Sequence, residues 1–106
     1  MEERKSIPQI GIMLYVLKQM PIRYELVQES DGSYSSWTQE GIITHGTGLT
    51  ESECLKDLLS GLKDMANQYI EDFEDWYKHN PSELGEVIKL LNSTDEELYE
   101  CLTRMN

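Results

Sequence analysis

Positive charge is scarce in this chain: 9 Lys and Arg stand against 20 Asp and Glu, a formal net charge of −11. Such a surface repels phosphate backbones and anionic headgroups, which disfavours direct binding to nucleic acid or a membrane, and it accelerates encounter with a basic protein. Long hydrophobic runs are missing as well. No stretch reaches the roughly 18 consecutive apolar residues of a spanning helix, and the run Ile7 to Leu17 has mixed charges before it and no small-residue cleavage site after it. The expected location is therefore the cytoplasm. There are only two cysteines, Cys54 and Cys101, far apart and without CxxC or histidine spacing, so they are expected to be reduced, packed thiols rather than zinc ligands. No P-loop, dinucleotide-binding glycine pattern, nucleophile elbow or metal-ligand cluster occurs, and no cofactor, metal or catalytic set is expected.

What is present is organised around Thr50 to Asn80. Leu55, Leu58, Leu59, Leu62, Met65, Tyr69, Phe73 and Trp76 recur at steps of three or four, the period of one helix face. Thr50 is placed to cap the helix, Glu53 three residues on completes a capping box, and Pro81 stops it by His79. Before it, Ile22 to Gln28 alternates as a half-buried strand, with Ile22, Tyr24, Leu26 and Gln28 on one side and Arg23, Glu25 and Val27 on the other. Asp31-Gly32, expected to supply the positive φ angles of a tight two-residue turn, then leads into a second strand, Ser33 to Thr38, and Ile42 to His45 forms a third. Ile7 to Leu17 fits a helix or a buried strand equally well and is expected to cover the core. After Pro81 two short helices follow, one with the stripe Leu84, Val87, Ile88 and Leu91, the other capped by Ser93 or Thr94 with the face Leu98, Cys101, Leu102 and Met105. At 106 residues this is one domain of α+β class, a small antiparallel sheet packed on one long helix and followed by two short C-terminal helices. The exposed sheet edges and surplus apolar surface predict a homo-oligomer, a dimer in the first instance.

Few residues bear candidate chemistry. His45 near Cys54 is the best catalytic fragment, but a cysteine this close to the start of an apolar helix face is more often core. The pairs Glu71-Asp72 and Glu74-Asp75 point in diverging directions around a helix, which suits a solvated face better than a cation site. A small hydrolase using His45 or the clustered acids, and an acidic inhibitor that mimics nucleic acid, are the alternatives to a protein-binding module. Trp37 shares its strand side with Ser35 and can serve as a contact anchor, the other possibility being a core position. Trp37 and His45 are the candidate partner-binding residues.

The order and spacing of Asp31-Gly32-Ser33-Tyr34 at the hairpin, Gly41-Ile42-Ile43-Thr44-His45-Gly46 in the third strand and Leu49-Thr50-Glu51-Ser52-Glu53 at the helix start resemble the HicB-type antitoxin family. The resemblance runs from Tyr24 to Trp76, about half of the chain, and makes 22–80 a HicB-like core with 81–106 as a helical extension of the single domain. It implies a truncated ribonuclease-H-like fold and a binding protein that blocks a small basic HicA-type ribonuclease, with no catalysis of its own. Gln39-Glu40-Gly41 stands where the family usually has Leu-Pro-Gly, and the C-terminal segment is acidic, so the resemblance does not extend to a basic DNA-binding module. Hairpin and resemblance both require positive φ at Gly32. Gly32→Ala is expected to cost about 1 kcal/mol, read as a lower melting midpoint, and an unchanged midpoint would argue against the turn.

Overall fold

The computed structural model describes residues 2–106, with the side chains of 11–106. Helix α1 (Glu2–Gln19) leads into strands β1 (Ile22–Gln28), β2 (Tyr34–Thr38) and β3 (His45–Gly48). Helices α2 (Glu51–Glu71) and α3 (Phe73–His79) follow, then a 3-10 turn (Pro81–Glu83), α4 (Leu84–Leu91), α5 (Asp95–Cys101) and a short β4 (Leu102–Arg104). The sheet order is β3-β2-β1-β4, antiparallel except for the β1–β4 pair, and α2 packs on one face with the short C-terminal helices folded back against it. This is the expected α+β architecture with one strand more.

The added strand corrects the reading of the last helix. Helix α5 ends at Cys101, and Leu102–Arg104 runs parallel to β1, with Ile22 opposite Leu102 and Tyr24 opposite Arg104. Without it β1 would carry a row of unpaired N–H and C=O groups along its edge, a larger cost than losing one helical turn. Beyond β4, Met105 N–H donates to Tyr24 O, and the Asn106 amide acts as a further strand residue: Leu26 N–H donates to its Oδ1 at 3.1 Å while its Nδ2 donates to Leu26 O at 2.9 Å.

Helix α2 starts as expected, with Glu53 N–H donating to Thr50 Oγ1, although the Glu53 carboxylate reaches back to Leu49 N–H rather than to Thr50. It does not run straight to His79. The backbone leaves helical geometry at Asp72 (φ −121, ψ 52) and α3 begins afresh. Past Tyr69 a straight helix would carry its apolar face away from the body, and the break instead lets Trp76 pack against the core beside Tyr69, at a cost in exposure for Phe73. The core behind the sheet is one layer of Cys54, Leu55, Leu58, Leu59, Leu62, Ala66 and Tyr69 from α2, with Ile22, Tyr24 and Leu26 from β1 and Val87, Leu90 and Leu98 from the last helices.

Three further expectations are corrected. The third strand is His45–Gly48, not Ile42–His45. Ile42 is buried beneath a loop, Ile43 is exposed, and Gly46 and Gly48 lie directly on the α2 backbone. The hairpin is not a two-residue turn with both φ values positive. Gly32 N–H donates to Glu29 O and Glu29 N–H to Ser33 O, so a four-residue turn is followed by a bulge at Gly32 (φ 90), while Asp31 stays at negative φ and its carboxylate accepts from Ser33 N–H and Oγ. The apolar run is helical, its first four side chains (7–10) lie outside those described, and of the rest only Leu14 and Leu17 are half-buried, while Ile12, Met13, Tyr15 and Val16 are exposed and cover no core.

A Cβ built on Gly46 would lie 2.5 Å from Cys54 O and 2.6 Å from Leu58 N, both rigid helix backbone. Gly46→Ala must push β3 off α2 and is expected to destabilise by about 2–3 kcal/mol in urea unfolding, more than Gly32→Ala, where the space around the bulge is open. Equal losses at the two positions would contradict the close strand–helix contact.

Candidate functional site

Alternation along the strands separates the two faces of the sheet. Tyr24, Leu26, Ser36, Thr38 and Gly46 point toward α2, with Tyr34 packed at the margin of the same cluster, and Tyr24 and Leu26 share a side as the sequence predicts. Arg23, Glu25, Val27, Ser35, Trp37, His45 and Thr47 occupy the other face, where every one of them is half-buried or exposed. The registers place Glu25 opposite Trp37 and Trp37 opposite His45, so the two predicted contact residues are side by side in one row across three strands. Trp37 Nε1 donates to Glu25 Oε2 at 2.9 Å, and Gln39 Nε2 donates to the same oxygen at 2.7 Å. The indole is thereby held by its polar edge while part of its ring is left to solvent, the arrangement of a rigid aromatic anchor. Arg23 and Glu40 pair at the margin of this face.

His45 does not share a site with Cys54. The side chain of His45 is on the open face, whereas Cys54 is fully buried behind β3, its Sγ 3.2 Å from Ser36 Oγ and 3.4 Å from Gly46 O. Glu71, Asp72, Glu74 and Asp75 are exposed, and among the described residues no group of three or more His, Cys, Asp or Glu is placed to hold a metal ion. His79 lies 3.6 Å from Asp75 at the surface. A second exposed surface went unread in the sequence: Phe73 and Tyr77 stack at 5.2 Å on α3, with Tyr69 edge-on to Phe73 and Ile70 exposed beside them. The signal is the i, i+4 spacing of Phe73 and Tyr77, which extends the stripe past its buried part with a second aromatic ring.

The loop that delivers His45 is held from below by α4. Gly41 (φ 71) turns the chain, Glu86 Oε2 accepts Ile42 N–H at 3.0 Å, and Thr38 Oγ1 donates to Ile42 O and accepts from Thr44 N–H. Lys89, one helical turn on and buried, donates to Met20 O at the end of α1. Both charges border a cleft of about 550 Å³ between the end of α1, the start of β1 and α4, and each already holds a backbone group, so they act as structural posts.

No protein-family model matches the chain, and no curated protein does. A solved structure does match. The crystal structure of the antitoxin part of a proposed toxin/antitoxin system from Syntrophomonas wolfei subsp. wolfei aligns with a TM-score of 0.76 over 90% of this chain and 70% of that one, at 22% identity. This chain has that antitoxin's fold. Coverage of that extent cannot be confined to the sheet and α2, so it takes in part of the helical segment after Pro81 as well.

Burial is the main cause that raises the Glu86 pKa above its ordinary 4.5; Glu83 and Glu40 add to it, while the Ile42 N–H and Lys89 oppose it. Because the folded value lies above the unfolded one, the contribution of Glu86 to stability is greatest below the unfolded pKa and is lost as pH rises through the folded one. Glu86→Gln keeps an acceptor for Ile42 N–H without the charge. Its stability should match the parent near about pH 4 and exceed it increasingly toward about pH 7. Glu86→Ala orphans the Ile42 N–H and should lose about 1–2 kcal/mol at both. Urea unfolding at the two pH values checks this, and a gap independent of pH would contradict the buried carboxylate.

Proposed function

We propose that this chain is a HicB-like antitoxin, a non-catalytic cytoplasmic protein that binds and blocks a small basic HicA-type ribonuclease. The observation that carries the reading is the fold shared with an antitoxin structure along nine-tenths of the chain. The hairpin and helix-start motifs from Asp31 to Glu53 support the narrower family assignment, and the net charge of −11 supports a basic partner, because the field draws such a protein in and disfavours nucleic acid as a direct ligand.

The docking surface in this reading is the open sheet face, with Trp37 as the anchor, Glu25 fixing its indole and His45 beside it. A half-buried aromatic ring centred in a polar row suits a hot spot that a partner can desolvate. Binding inhibits by occlusion: the partner's catalytic surface is covered and nothing on it is cut. Co-expression with any small basic protein encoded beside this chain, followed by affinity capture, tests the partner. Trp37→Ala should weaken the complex by about 2 kcal/mol, roughly 30-fold, and His45→Ala by less. Recovery of no small basic protein would sink the antitoxin reading, and unchanged affinity in Trp37→Ala would move the docking surface off the sheet.

A further inference from the structure

In its second half, where the side chains are described, helix α1 reverses the usual polarity of a surface helix. It is tied to the body at its last turn, where Lys18 Nζ pairs with Glu97 at 3.0 Å, Lys89 donates to Met20 O, and Cys101 Sγ lies 3.2 Å from Lys18 O. Leu14 and Leu17 are half-buried. The residues turned to solvent are apolar: Ile12, Met13, Tyr15 and Val16 are 62, 64, 66 and 54% exposed, and Met20 is 52% exposed. At about 100° per residue, the first four cover an arc of roughly 160° that a solvated helix would fill with charge.

We propose that α1 is a self-association element, two copies of the chain pairing antiparallel through Ile12, Met13, Tyr15 and Val16. Charge selects this occupant over the others. Residues 1–21 carry 3 bases and 2 acids, whereas residues 22–106 carry 6 bases and 18 acids, a net of −12. Two such bodies repel at close range, and an antiparallel helix pair attaches them on opposite sides of the contact, where a parallel pair would set them side by side. A basic partner is drawn to the acidic body rather than to the one segment of net positive charge, and an anionic membrane would repel that body. The area also suffices. Five half-exposed or more exposed large side chains offer on the order of 500 Å² per copy, so a pair buries about 1,000 Å², the floor for a specific interface. This pairing does not depend on the antitoxin reading.

Sedimentation velocity on the full chain at micromolar concentration, read alongside far-UV circular dichroism, tests the proposal. The parent should sediment as a dimer, and Ile12→Glu/Val16→Glu should raise the dissociation constant by about 100-fold or more, leaving a folded monomer. Raising salt from about 50 to 500 mM should strengthen the dimer or leave it unchanged, since screening relieves repulsion between the bodies and apolar contact is unaffected. If the double variant does not fold, Tyr15→Ser, at the most exposed position, carries the same comparison with a smaller loss. A monomeric parent, a dimer insensitive to both variants, or a dimer that dissociates as salt rises would each overturn the pairing, the last by pointing to α1 docked on an acidic body. A monomer that binds uncharged phosphatidylcholine vesicles would assign the helix to a lipid surface instead.

Discussion

The contact on which the other placements depend is the seat of β3 on α2. Strand and helix meet backbone to backbone because Gly46 and Gly48 present no Cβ where Cys54, Glu53 and Leu58 come closest. That seat fixes the distance between sheet and helix at one edge, and Thr47 N–H donating to Asp57 Oδ2 ties the strand down at the same point. With β3 fixed, alternation turns His45 away from the helix, and the antiparallel register brings Trp37 and then Glu25 into line with it. The row on the open face is thus a consequence of two missing side chains on the closed one. The leucine stripe of α2 supplies the driving force for packing, but apolar area is non-directional and would tolerate several strand positions. The glycines choose among them.

The opposite edge is closed by a different device. A parallel strand needs a long crossover to reach its neighbour, and α2 to α5 provide it, returning the chain so that β4 lies along β1. Leu102 packs against both halves of the core while Thr103 and Arg104 are exposed, so the segment joins the sheet with a single apolar anchor. Asn106 continues the ladder with its side chain where the main chain no longer can. Edge strands this short invite little pairing with other chains, which directs attention to the faces and to α1 as the surfaces open for association.

Charge and apolar surface are segregated along the molecule. Acids predominate on the helical half, the mixed polar and aromatic row lies on the open sheet face, and Ile12, Met13, Tyr15 and Val16 form an exposed apolar group on α1. The last turn of α1 is joined to the body by charged side chains of α4 and α5, Lys89 and Glu97, one reaching a backbone carbonyl and the other Lys18. Lys89 and Glu86 sit one turn apart on α4 and support two different things, the end of α1 and the loop before His45. A short helix thereby links the position of the projecting helix to that of the open face through two side-chain bonds.

Periodicity and turn chemistry by themselves determined the α2 stripe with its Thr50 cap, the strand alternation that sets Tyr24 and Leu26 against Trp37, and the glycine at the hairpin bulge, because each is settled by residues within one or two turns of one another. Acidity, too, was legible from composition. Tertiary structure alone decided the rest. Leu102–Arg104 reads as the end of a helix until the unpaired edge of β1, some 80 positions earlier, competes for its backbone. Gly46-Thr47-Gly48 reads as a connection to the helix until its glycines meet the α2 backbone, and Ile42-Ile43-Thr44, the better local strand former, yields its place to them. The helical stripe is continuous through Phe73 and Trp76, yet the helix bends where the body beneath it ends. In each case local preference amounts to a few tenths of a kcal/mol per residue, and a buried hydrogen bond or a close backbone contact outweighs it.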